Sequence, residues 1–138
     1  MILAVLLAST IFVTTLTLHW AIMKRISIDR SRLTAPIFAG ICLILLTMHF
    51  LEVGLYALGF ELGRALELGD FRKPPSADFM DVYFFALATF TTLGLGKVMP
   101  TEHLAFIAGV SSFNGFLCIS MSASFLFKLT PEVTDQSE

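Results

Sequence analysis

Apolar residues run through this chain in long blocks, with polar residues collected between them. The first block, Met1 to Met23, is almost unbroken apolar and threonine-rich sequence. A membrane-crossing helix needs about 20 such residues, and this block has them. No lysine or arginine precedes the run, and it exceeds the roughly 7–15 residues of a signal-peptide core, so a retained helix is expected rather than a cleaved leader. His19 and Trp20 near its end read as anchors at the membrane interface. The second block, Pro36 to about Gly59, opens on a proline suited to a first helical turn. The third runs from His103 to Lys128. Between the second and third lies Asp78 to Phe90, apolar but too short to cross alone. Asp78 can cap its start, and Asp81 suits the positive end of its dipole. A short helix leading into a glycine-containing loop reads as re-entrant, because such backbone is tolerated at depth only when protein or water surrounds it. The pattern predicts an all-α membrane protein with three transmembrane helices and a re-entrant short helix and loop between the second and third.

The polar segments orient these helices. Lys24 to Arg32 is the dense basic cluster, and short basic loops stay on the cytoplasmic side. The N-terminus is then outside and the C-terminus cytoplasmic. Glu61 to Ala77, broken by Gly63, Gly69, Pro74 and Pro75, becomes an outer linker of mixed charge. The tail Thr130 to Glu138 carries no nucleotide- or calcium-binding pattern and is expected to lack order.

Composition agrees with a bilayer. The chain has 138 residues, 56% hydrophobic and only 14% charged, with a mean hydropathy of +0.81. A soluble domain carries about 25% charged residues. The net charge of -2 gives no reason to expect a nucleic-acid partner. Cys42 and Cys118 sit inside apolar blocks and read as small buried hydrophobes rather than a disulfide or metal pair. No catalytic motif is visible, so an enzyme is not expected.

The stretch with distinctive chemistry is Thr91-Thr92-Leu93-Gly94-Leu95-Gly96. Glycines spaced by one residue let the backbone enter conformations that a Cβ disfavours. Such a strand can turn successive carbonyls toward one axis, and four copies would stack rings of oxygens able to replace the water shell of a potassium ion. The stretch resembles the selectivity filter of potassium channels, Thr-Val-Gly-Tyr-Gly followed by Asp. Thr92 stands at the threonine, Leu93 at the valine, and Gly94 and Gly96 at the glycines. Leu95 replaces the tyrosine and Lys97 the aspartate, while Thr91 and Pro100 also sit where the family has Thr and Pro.

The resemblance covers the short helix, the filter and the third span. It implies a homotetramer in a lipid bilayer, of the plasma or inner membrane, conducting K+ passively. Potassium would be held at Thr92, Leu93, Gly94 and Leu95, with the Thr92 hydroxyl at the inner end and no cofactor beyond the permeant ion. Phe84, Phe85 and Ala88 fall on the implied pore helix. Phe84 and Phe85 offer apolar packing where Leu95 cannot donate the hydrogen bond of a tyrosine. Lys97 at the outer mouth either sets four positive charges around the pore or pairs with Glu102 or a linker carboxylate. Residues 34–138 would form the pore domain, and residues 1–33 a peripheral helix and cytoplasmic loop. A nonselective cation channel is the near alternative. A non-conducting assembly subunit is the distant one, and a regulatory subunit is left open.

Polar residues inside the spans complete the candidates. His49 and Glu52 are three apart and share a helix face. A carboxylate at membrane depth faces protein or water, so Glu52 is either hydrogen-bonded to a neighbouring helix or part of a proton-sensitive brace behind the filter. Ser111, Gly115, Cys118 and Ser122 form a small-residue face, read equally as close helix packing or as pore lining. Asn114 can face an aqueous cavity. Gly115, and more weakly Gly109, can permit a gating bend, though packing is the commoner use of a helix glycine. His103 reads as an interfacial residue.

Overall fold

Residues 1–26, 29–72, 76–94 and 98–130 are described by the structure, a computed structural model. Helix α1 spans Ile2–Arg25, α2 Ala35–Ala65, α3 Phe79–Phe90 and α4 Leu104–Leu129. A short 3-10 turn, Arg30–Arg32, joins α1 to α2. Three of the helices are long and apolar enough to cross a membrane, and α3 is not.

Local chemistry starts α2 and α3 and satisfies hydroxyls along α1 and α2. Pro36 sits in the first turn of α2, where a missing N–H costs nothing. Asp78 caps α3 by accepting from the Asp81 N–H at 2.8 Å, while Asp81 accepts from the Asp78 N–H at 3.1 Å. This reciprocal box satisfies two otherwise unpaired amides. In α1 and α2, hydroxyls that lipid could not solvate turn back onto their own helix. Thr10 donates to the Leu6 carbonyl, Thr14 to Thr10 and Thr47 to Leu43, each at 2.8 Å.

α2 is longer than the apolar block that predicts it. Its 31 residues continue past Gly59 to Ala65, for a length of about 46 Å at 1.5 Å per residue. The extension is held because Phe60 and Gly63 remain buried. Gly63 lies against Leu104 of α4, and Phe60 joins Phe71 and Phe85 in a triangle of rings 5.1–5.7 Å apart. Edge-on contacts of this kind contribute about 0.5–1.5 kcal/mol each beyond area burial.

The linker after α2 is tied to the segment after α3. Strand β1, Phe71–Arg72, pairs antiparallel with β2, Met99–Pro100. The Asp70 N–H donates to the Thr101 hydroxyl, and that hydroxyl donates to the Asp70 carbonyl, both at 2.9 Å. Arg64 reaches Asp70 at 2.9 Å and Glu61 at 3.2 Å.

α1 and α4 run in the same direction, with α2 opposed to both. Phe12 of α1 stacks on Phe113 of α4, and Ala4, Ala8, Thr15 and His19 of α1 are buried. At the loop end, Ile22, Met23, Ile26 and Leu33 close on Ile41, Leu45 and Leu129. His19 is not at an interface: it is fully buried, because Glu52 of α2 supplies it a partner. Trp20, one residue on, is 55% exposed, with the Lys24 ammonium 5.1 Å from its ring.

Candidate functional site

The turn that follows α3 is built by helix capping. Thr91 closes the helix, its hydroxyl donating to the Leu87 carbonyl at 2.8 Å. The Thr92 N–H donates to the Thr89 carbonyl at 3.0 Å and the Leu93 N–H to Ala88 at 2.8 Å. This is a Schellman closure, which places Thr92 in the left-handed region normally reserved for glycine. Its φ is +59°, a conformation that costs a β-branched residue roughly 1–3 kcal/mol. Gly94 follows at φ +66°, and its N–H joins that of Leu93 on the Ala88 carbonyl, at 3.1 Å.

These bonds determine where the carbonyls go. A trans peptide plane points its C=O opposite to its N–H. The amides of Leu93 and Gly94 both aim back at α3, so the carbonyls of Thr92 and Leu93, in the same planes, face away from it on one side. The two planes meet at Leu93, whose backbone angles set their mutual orientation, and the positive φ values of Thr92 and Gly94 flank the pair. Leu95, Gly96 and Lys97 lie outside the described residues.

Neighbouring elements fix the turn in place. Ser112 of α4 donates to the Thr89 carbonyl at 2.9 Å. Phe85, Thr89, Thr92, Gly94, Pro100 and Ser112 border an open cleft beside the turn. Ala88 is buried, whereas Phe84 points outward at 59% exposure, so of the two phenylalanines only Phe85 borders the cleft. Gly115 of α4 meets the last residue of α3: an added Cβ would fall inside van der Waals contact with the Phe90 carbonyl oxygen. The small-residue face of Ser111, Gly115, Cys118 and Ser122 is buried within the chain, which is the packing reading rather than the pore-lining one. Asn114 likewise does not face a cavity. It is fully buried, donating to the Thr15 hydroxyl and, at 2.9 Å, to the Tyr56 hydroxyl, and Cys118 donates to its carbonyl oxygen at 3.6 Å.

Behind the end of α3 sits a second polar cluster. Glu52 of α2 is fully buried, one oxygen 2.9 Å from His19 Nδ1 of α1 and the other 3.1 Å from His49 Nδ1 of its own helix. The Nε2 atoms of both histidines lie 3.2 Å from the Ser122 hydroxyl of α4. The His49 ring is 6.2 Å from that of Phe90, which also stands 6.1 Å from Tyr56. His49 and Glu52, expected to share a helix face, are in contact, and Glu52 also reaches the neighbouring helix through His19. His19, Ser122, Tyr56, Thr15 and Phe90 were not singled out as site residues from sequence. Their one shared signal is a polar or aromatic group among aliphatic neighbours, which does not say what it faces.

No curated protein and no solved structure matches the chain. A family model described as an ion channel matches residues 44–131. That range takes in most of α2, all of α3, the turn after it and the whole of α4, and leaves out α1. With more than half of its length matched, over the helices that frame the Thr91–Gly94 turn, the chain belongs to the two-transmembrane-type ion channels of the potassium-channel pore family.

Proposed function

We propose that this chain is one subunit of a homotetrameric, potassium-selective channel that conducts K+ passively. The observation that carries this reading is the pair of successive carbonyls, Thr92 and Leu93, turned to the same side because the amides in their planes share the Ala88 carbonyl. Oxygens so aligned exchange a potassium ion's water shell for a fixed coordination shell. Gly94 and Leu95 continue the ion path, and the Thr92 hydroxyl closes its inner end. One chain supplies one such strand, and a closed ring of four identical subunits is implied by the family resemblance and permitted by symmetry. α3 then acts as the re-entrant pore helix, with the negative end of its dipole toward the cation. In this reading the N-terminus is outside, the C-terminus is cytoplasmic, and the protein resides in the plasma or inner membrane.

A nonselective cation channel is the second reading, favoured by Leu95 and Lys97 standing where the family has tyrosine and aspartate. Purified protein in liposomes separates the two. Potassium selectivity predicts K+ uptake far faster than Na+ uptake from equal gradients. Equal rates point to the nonselective pore, and no flux of either ion from a confirmed tetramer rejects conduction. Native mass spectrometry of the solubilised protein should show four subunits.

A further inference from the structure

We infer that His19, Glu52, His49 and Ser122 form a binding site for one proton, which clamps α1 onto the helices of the channel family. The four side chains make a closed ring of four polar contacts: Glu52 to His19 at 2.9 Å, His19 to Ser122 at 3.2 Å, Ser122 to His49 at 3.2 Å, and His49 to Glu52 at 3.1 Å. Each contact needs one hydrogen, since a contact without one sets lone pair against lone pair. A neutral imidazole supplies one hydrogen, a serine hydroxyl one, and an ionised carboxylate none. The two histidines and Ser122 therefore supply three hydrogens for four contacts. The fourth is a bound proton.

Charge gives the same count. With an ionised Glu52 and two neutral histidines, the ring would bury an uncompensated negative charge between membrane-spanning helices, which is costly. One added proton brings the ring to zero net charge, whether it rests on a histidine or on Glu52. These two placements differ only by shifting hydrogens around the ring, and both satisfy every contact. A second added proton would leave the ring positive and release the Ser122 hydrogen from it.

Among the described residues, the surroundings offer no other charge to balance Glu52. α1 presents His19 and Thr15; α2 presents His49, Glu52 and Tyr56; α4 presents Ser122, Asn114 and Cys118; and α3 presents Phe90. Of these, outside the ring itself, Tyr56 and Cys118 are titratable, and both are engaged by Asn114. The Cys118 sulfur lies within 4.8 Å of ligand atoms of His19 and Glu52. Because the ring draws on three helices and touches Phe90, its occupancy joins α1 to the end of α3. Any influence of that proton on conduction rests on the channel reading; its presence does not.

The test counts protons in the full-length protein in nanodiscs at neutral pH, with His103→Gln so that only the ring histidines report. Nitrogen NMR of the histidines, with infrared detection of carboxylic acid, should find one imidazolium or one protonated Glu52. Two neutral histidines beside an ionised Glu52 would overturn the proposal, as would a stoichiometric metal ion in the purified protein. Glu52→Gln is the decisive variant, because a carboxamide accepts at one end and donates at the other and so supplies the fourth hydrogen itself. It should fold, lose the imidazolium and acid signals, and keep α1 docked as pH rises. Wild type should lose amide-exchange protection in α1 over the same rise, after correction for intrinsic exchange rates. A Glu52→Gln protein that keeps an imidazolium, or α1 protection equally pH-dependent in both proteins, would overturn the proposal. None of these readouts requires ion flux.

Discussion

Thr92 and Gly94 adopt nearly the same left-handed φ, yet only glycine does so without strain. A Cβ at Gly94 would meet nothing within 4 Å, so Gly94→Ala should cost only the backbone term, about 1–2 kcal/mol. The variant is expected to assemble, with its K+ over Na+ flux ratio sharply reduced in liposomes. An assembled variant with the wild-type ratio would place selectivity elsewhere in the chain. Gly115 is the opposite case. Its backbone is ordinary helix, but its position against the Phe90 carbonyl leaves no room for a methyl. Gly115→Ala should force α4 from α3 and lower stability by about 1–3 kcal/mol, seen as a lower melting temperature by circular dichroism. Both glycines stood out in the sequence, Gly94 by its spacing to Gly96 and Gly115 by its place on a small-residue face. Which of them is restricted by conformation and which by contact depends on neighbours that no local pattern names.

At the level of elements, α1 is joined to the rest of the chain through buried polar groups. Thr15 accepts from Asn114, and its own hydroxyl lies 2.9 Å from the Ile11 carbonyl. Thr15→Val keeps the shape and strands a buried amide hydrogen, a loss of about 1–3 kcal/mol. Adding Asn114→Leu removes the stranded donor, so the double variant should be less destabilised than the sum of the two single changes. A thermodynamic cycle from urea or thermal melts checks this; strict additivity would mean that the contact contributes nothing. The helices themselves were legible from sequence. Apolar length marked three spans, and Asp78 with Asp81 marked the start of the short one. Their pairing was not, because a single Thr, His or Asn in each of several apolar segments has no periodicity to align. His19 read as an interface residue because it stands beside Trp20 near the end of its segment. Its actual partner is 33 positions away in sequence. The Thr91–Gly94 turn was legible because its chemistry is contiguous.

For the whole molecule, charge is divided between the two ends of the helix bundle. Lys24 and Arg25 close α1, Arg32 lies in the following turn, and Lys128 is in the last turn of α4, all at one end. Glu61, Glu67, Asp70 and Glu102 cluster at the other, around Arg64. The basic end is expected to stay on the cytoplasmic side. This can be checked in intact cells with an impermeant thiol reagent, in a chain whose Cys42 and Cys118 are alanine. Ser76→Cys, exposed at the acidic end, should label from outside, and Ser137→Cys should not. The reverse pattern would invert the topology.

The molecule also carries its own optical probe. Trp20 is the single tryptophan of the chain, and it projects from α1 at the basic end. The interior is filled with phenylalanine and Tyr56 instead. Tryptophan fluorescence, excited where Tyr56 and Tyr83 do not absorb, therefore reports on the helix outside the family match and not on the matched helices. Emission wavelength, and quenching by bromine placed at graded depths on the lipid chains, read how far α1 sinks into the membrane. An emission change without a change in helix content signals α1 leaving its seat while the bundle stays folded, which separates the two events in unmodified protein.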